Sequence, residues 1–238
     1  GDSVAGTEVP ASEAPTTTVF APTPVAISGV GETTVEGPVT GGGGQVIFGT
    51  ATFDGSGFGY TEEEYFISGT ANSYTSGQPL TEDGMWTVTP KDTAEYKTRI
   101  LVRRPVTASD FSGTVYVEWL NVTAGLDTGP TWSLSWVEML RQGSAWVGVS
   151  TQRVGVEGGG NKMGEFRVLK IADPERYGTL NHPGDNYSYD IFSQAGATVW
   201  QQADTILGGL QPDVVIAAGG NAQVGTPIGD YLVAYALP

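Results

Sequence analysis

The sequence predicts an α/β protein with a mainly parallel sheet, preceded by a β-rich N-terminal elaboration. Three observations carry this. Short apolar, β-branched runs recur at residues 98–103, 114–120, 146–149 and 213–218. Between them, residues 131–142 and 192–207 change to a helical period. Gly or polar turn residues punctuate the changes. Strands that alternate with helices imply right-handed crossovers and parallel pairing.

The elements follow in chain order. Residues 1–26 read as an extended tail or linker. Pro10, Pro15, Pro22 and Pro24 break any helix there, and the Ser/Thr/Pro/Ala composition is too polar to bury a core. Residues 27–95 read as the β-rich elaboration. It holds a short run at 45–48, between a four-Gly run at 41–44 and the turn at 54–59, and another at 86–89. Glu62-Glu-Glu64 reads most simply as a solvated charge run.

Residues 96–238 form the third segment. The strand at 114–120 is followed by Trp132, Trp136, Val137, Met139 and Leu140, spaced as one face of a helix, and Gly143 is a suitable stop. A loop spans 151–187. Phe192, Ala195, Val199, Ala203, Ile206 and Leu207 then predict a second helix, which Gly208-Gly209 ends. The last strand, 213–218, runs into Gly219-Gly220, and 231–236 looks helical. In such sheets the ligand site lies beyond the carboxyl ends of the strands. Residues 121–129, 150–156 and 219–229 are therefore expected to line it.

Composition narrows the functional classes. The 238 residues contain 26 acidic and 11 basic side chains, a net charge of −15, with no Cys and one His. Disulfides and Cys-ligated metals are excluded. The negative charge opposes contact with phosphate backbones, so no nucleic acid partner is expected. No apolar run is long enough for a transmembrane segment. No metal and no cofactor are expected. Acidity, absence of Cys and the linker-like start favour a secreted, extracellular bacterial protein.

Several motifs were weighed on their spacing. Asn121, Val122 and Thr123, in the Gly-containing turn after a strand, could aim N–H groups at an oxyanion, or could form an ordinary strand-to-helix loop. Gly155 to Lys162 lacks the phosphate-loop pattern, since Asn161 precedes the Lys and Met163 follows it. Gly219-Gly220 lacks a dinucleotide fingerprint. His182, in a Pro/Gly turn, reads as structural rather than as a general base. Asp185 and Asp190 read as hydrogen-bond acceptors within a network rather than as cation ligands.

Longer motifs add a resemblance. Glu118-Trp-Leu-Asn-Val-Thr-Ala-Gly-Leu-Asp127, Ala145-Trp-Val-Gly-Val-Ser-Thr-Gln-Arg-Val154 and His182-Pro-Gly-Asp-Asn-Tyr-Ser-Tyr-Asp-Ile-Phe-Ser-Gln194 resemble the bacterial "alpha/beta hydrolase domain" family of exported, esterase-like proteins. So do Glu63-Glu-Tyr-Phe-Ile-Ser-Gly-Thr70 and Tyr96-Lys-Thr-Arg-Ile-Leu-Val-Arg-Arg-Pro105. The likeness runs from about residue 35 to 218. It implies an α/β-hydrolase-like sheet, incomplete here, and hydrolysis of a small ester by a Ser-His-acid triad.

One departure bears on chemistry. The family's nucleophile elbow reads Gly-Glu-Ser-Gln-Ser, where this chain has Gly219-Gly-Asn-Ala-Gln223. Asn221 occupies the position of the nucleophilic Ser and cannot form an acyl-enzyme. Thr226 is a weak substitute, because Pro227 beside it removes an N–H that an oxyanion hole uses. The resemblance places the triad acid and His beyond Pro238. The isolated chain is thus expected to be inactive as an esterase. The strand at 213–218 is expected to have a bare edge, completed by a second chain or by pairing of copies in a homo-oligomer or filament. The alternative function is a non-catalytic extracellular binding or self-assembling module on a hydrolase scaffold. Carbohydrate binding through the Trp and Tyr residues is a weaker third reading.

Overall fold

A computed structural model of the chain describes residues 29–49, 53–79, 81, 86–160, 162–219 and 233–235. Seven strands form one sheet: β1 Thr34–Glu36, β2 Tyr60–Thr75, β3 Thr89–Pro105, β4 Thr114–Trp119, β5 Ala145–Val149, β6 Val214–Gly219 and β7 Val233–Tyr235. Their spatial order is β1-β2-β3-β5-β4-β6-β7. The centre is parallel, with β4 between β5 and β6. The flanking pairs β1/β2, β2/β3, β3/β5 and β6/β7 are antiparallel. This is an α/β-hydrolase-like sheet with its β-rich N-terminal part continuing the same ladder.

Two helices cover opposite faces. The first, α1 (Pro130–Arg141), follows β4, and α5 (Ser188–Gln201) precedes β6. Period-2 alternation in β3 distributes its side chains between these faces. Ile100 and Val102 join Ile191, Ala195 and Val199 of α5, with Val117 and Val147, in the larger core. Leu101 joins Trp132 and Met139 of α1, with Leu120, Trp146 and Phe48. Every residue of β5 is buried, as expected of a strand covered on both faces.

Helix α1 starts after a Gly that supplies no side-chain cap, with Pro130 in its first turn. Glu118 of β4 does that work. Its carboxylate accepts the N–H groups of Thr131 (2.7 Å) and Trp132 (3.0 Å), and also the Trp146 indole N–H (2.8 Å). The helix stops where Gly143 turns left-handed at φ 71°, and a Cβ there would lie 2.0 Å from the Asp110 carbonyl oxygen.

Local differences from the sequence expectations have physical causes. Val137, expected on the buried face of α1, is 61% exposed, because the contact stripe runs through Trp132, Trp136, Met139 and Leu140 and Val137 lies to its side. The expected loop at 151–187 contains three short helices, α2 Arg153–Glu157, α3 Leu169–Ala172 and α4 Pro174–Tyr177. They pack Val156, Leu169 and Tyr177 on Phe66 in a third apolar cluster. The helix expected to run through 207 breaks at Gln202, and α6 Ala203–Ile206 is separate. Residues 45–48 form no strand, and Trp86 precedes β3 rather than lying in it. The stretch expected to be helical contains β7, which pairs Val215, Ile216 and Ala217 of β6 with Tyr235, Ala234 and Val233. The β6 edge is therefore paired within the chain, and the argument for a bare edge there does not hold.

The run Glu62-Glu-Glu64 is not a solvated face. It lies inside β2, where alternation sends Glu62 and Glu64 to one side and Glu63 to the other. Glu62 bonds Arg103, directly opposite in the register, at 2.6 Å, and Glu63 bonds Arg104 at 2.8 Å. The side chain of Glu64 is fully buried.

Candidate functional site

The carboxyl ends of the three parallel strands meet on one side of the sheet. Trp119 ends β4 and is in register with both Val149 of β5 and Gly219 of β6. The loop after β4, the segment 150–152 after β5 and Gly219 at the end of β6 therefore form one mouth.

The loop after β4 is closed at its base. Asn121 N–H donates to the Thr128 carbonyl (2.8 Å), and Thr128 N–H returns to that of Asn121 (2.9 Å). Thr123 N–H donates to Asn121 Oδ1 (3.0 Å), and Gly125 N–H to the Val122 carbonyl (2.8 Å). The structure thus brings Asn121, Val122 and Thr123 together at the mouth. The amides of Asn121 and Thr123 already hold partners inside the loop, so an oxyanion would have to displace them. Asn221 and Thr226 lie outside the described residues.

Under the mouth sits a buried ionic cluster. Arg99 donates to Glu64 Oε1 through Nη1 (2.9 Å), to Asp127 Oδ2 through Nη2 (2.8 Å) and to Ser150 Oγ through Nε (2.9 Å). Ser150 Oγ in turn donates to Asp127 Oδ2 at 2.5 Å. Glu64 also accepts from Arg176 Nε (2.8 Å) and from the Tyr177 hydroxyl (2.9 Å). Burial works against the Arg99 charge, but Asp127 and Glu64 outweigh it and hold its pKa above the ordinary value. Burial, with Glu64 adding to it, pushes the Tyr177 hydroxyl up to about 12. The cluster pins the loops after β4 and β5 to β2 and β3, so the mouth has a rigid floor.

A second polar centre ties α5 to β2. Asp190 accepts from Asn72 N–H (2.6 Å), Asn72 Nδ2 (3.0 Å), the Tyr74 hydroxyl (2.9 Å) and Gln194 Nε2 (3.1 Å). These donors give it the network role rather than a cation. Asp185 accepts the Arg153 N–H at 2.7 Å, which holds the start of α2. His182 is buried, its Nε2 2.7 Å from the Thr151 carbonyl and its Nδ1 accepting Gly184 N–H at 3.2 Å. Those partners define a neutral imidazole with the proton on Nε2. Burial also lowers its pKa. This is a structural histidine joining 182–184 to the mouth at Thr151. Among the described residues no cluster of His, Asp and Glu could hold a metal.

The rim of the mouth is aromatic. The Trp119 ring contacts Tyr189 and Phe192 of α5, each with centroids 5.4 Å away and tilted at 61° and 53°. Its indole N–H donates to Gln152 Oε1 at 3.2 Å. A Cβ on Gly219 would lie 3.0 Å from that of Trp119, so the end of β6 packs directly on this residue.

Sequence reasoning found the mouth but missed its floor. Arg99 and Arg103, four apart, share one face of a β run, and Glu62 and Glu64, two apart, share one face of another. Opposite charges gathered on one face of each of two strands are the signal that would have paired them.

Comparison with known proteins agrees with this architecture. A family model described as "Alpha/beta hydrolase domain" matches residues 35–236. No curated protein and no solved structure matches the chain.

Proposed function

The chain belongs to the alpha/beta hydrolase domain family, and on that premise we propose that its mouth is an ester-binding site of acyl-hydrolase type. The observation that carries the reading is the convergence of Trp119, Val149 and Gly219 at one end of the parallel strands. The resemblance sets the nucleophile position two residues after Gly219, at Asn221.

A carboxamide cannot be acylated as a serine hydroxyl is, because acyl transfer needs a nucleophile with an adjacent base. We therefore assign the 238-residue chain ester binding without turnover of its own. Thr226 is the one hydroxyl in the sequence 219–229, and Pro227 beside it disfavours it as a substitute. The net charge of −15 favours neutral over anionic esters. Release of p-nitrophenol from p-nitrophenyl acetate tests the reading. The rate should equal the buffer background. Turnover that Thr226→Ala abolishes would make Thr226 the nucleophile, and turnover that His182→Ala abolishes would give His182 a catalytic role.

The alternative is an extracellular non-catalytic module. The acidity, the absence of Cys and the linker-like composition of residues 1–26 favour export. Fractionation of the source cells tests it, and retention of the chain with the cytoplasmic fraction would overturn it.

A further inference from the structure

We propose that Trp119, Tyr189 and Phe192 form a recognition platform for a neutral aromatic group of the bound ester. This deepens the ester-binding reading and rests on it. Trp119 is the last residue of β4 and abuts Gly219 at the end of β6, so it stands at the mouth. Tyr189 and Phe192 reach it from the first two turns of α5.

The cluster is held but not sealed. Gln152 fixes the Trp119 indole through its N–H, and the two tilted contacts at 5.4 Å fix the ring from α5. Tyr189 is nevertheless 61% exposed, and Trp119 and Phe192 are only half-buried. Three adjacent aromatic rings at the end of a strand, left partly in water, leave apolar surface that a flat ring can cover. Tilted rather than parallel packing leaves ring edges and faces for a further edge-to-face or offset contact.

The charges nearby select a neutral ligand. The acidic groups of this corner, Asp190 and Asp185, are engaged by protein donors, so neither offers a countercharge for a cation. The excess of 26 acidic over 11 basic residues repels anions. A phenyl ester meets these conditions better than an alkyl ester of the same size, since both are neutral but only the first presents a flat face.

Amide NMR titration with phenyl acetate and cyclohexyl acetate tests this on the full chain. Phenyl acetate should shift the Trp119 indole, Val122 and Gly219 signals and bind about tenfold more tightly than cyclohexyl acetate. That preference should vanish in Trp119→Ala and fall severalfold in Tyr189→Ala, whose exposed position leaves the fold intact. If both esters shift the mouth signals equally in wild type, or if the preference survives both substitutions, the platform is wrong and ester binding stands. If neither ester moves Val122 or Gly219, ester binding fails and the platform falls with it.

Discussion

Replacing Glu64 by Ala should be among the most destabilising single changes in this chain. The carboxylate is fully buried and accepts from Arg99, Arg176 and Tyr177 at 2.8–2.9 Å. Its loss leaves the Arg99 guanidinium, also fully buried, with Asp127 as its single carboxylate partner. Breaking a buried ion pair by removing one partner costs about 3–5 kcal/mol, mostly the penalty of the charge left behind. For a domain of this size each kcal/mol moves Tm by about 2–4 °C, so the melting temperature should fall by roughly 6–20 °C. The neighbouring Glu63→Ala supplies the contrast. Its pair with Arg104 is partly solvated, at 25% and 13% exposure, and should be worth about 1 kcal/mol or less. Thermal melts followed by circular dichroism, with urea titrations at 25 °C, measure both. A Glu64→Ala loss below about 1 kcal/mol, or one equal to that of Glu63→Ala, would refute the reasoning that burial sets the value of these pairs.

Other outcomes follow from the same structure. Asp190→Ala removes the acceptor of three hydrogen bonds between α5 and β2 and of one within α5 and should cost about 3 kcal/mol by urea midpoint, with a loss under about 0.5 kcal/mol speaking against that tie. Burial depresses the His182 pKa below 6.5, so the unfolded chain takes up the proton first. Stability should therefore be full above pH 6.5 and decline as pH falls from there toward the folded value, and His182→Gln should flatten that slope between pH 7 and 5. Identical slopes would contradict the buried neutral imidazole. Trp132→Ala should cost about 3–5 kcal/mol by urea titration, whereas Leu134→Ser, at a position 87% exposed on the same helix, should stay within about 0.5 kcal/mol. Gly143→Ala should lower the melting temperature, because its left-handed φ and the Asp110 carbonyl both oppose a Cβ, and an unchanged melt would rule out that explanation.

The readable parts of this fold are those set by neighbours in sequence. The strands at 114–119, 145–149 and 214–219 and helix α1 announce themselves by period, and strand–helix alternation alone places the mouth at their carboxyl ends. Contacts between distant segments were not readable in the same way. Glu62-Glu-Glu64 looks like surface charge until β3 brings Arg99, Arg103 and Arg104 against it. Glu118 reads as one more strand residue, yet it caps α1 from within the sheet. The short helices in 151–187 have too few residues for a periodic signal, and Tyr177 becomes a core residue only because Phe66 and Glu64 meet it. The site divides similarly. Asn121, Val122 and Thr123 are marked by their place after a strand, but the bond that occupies the Asn121 amide depends on Thr128 folding back, and the one on the Thr123 amide on the Asn121 side chain. The aromatic rim was missed because Trp119 and Phe192 are separated by 72 positions of other structure.

The central proposal is that this chain binds esters without the chemistry of a hydrolase nucleophile. Intact mass after incubation with a fluorophosphonate, which phosphonylates an activated hydroxyl, tests it most directly. The account predicts an unmodified mass for wild type. A stoichiometric phosphonyl adduct, mapped by peptide fragmentation to Thr226 or any other hydroxyl of the mouth, would contradict it.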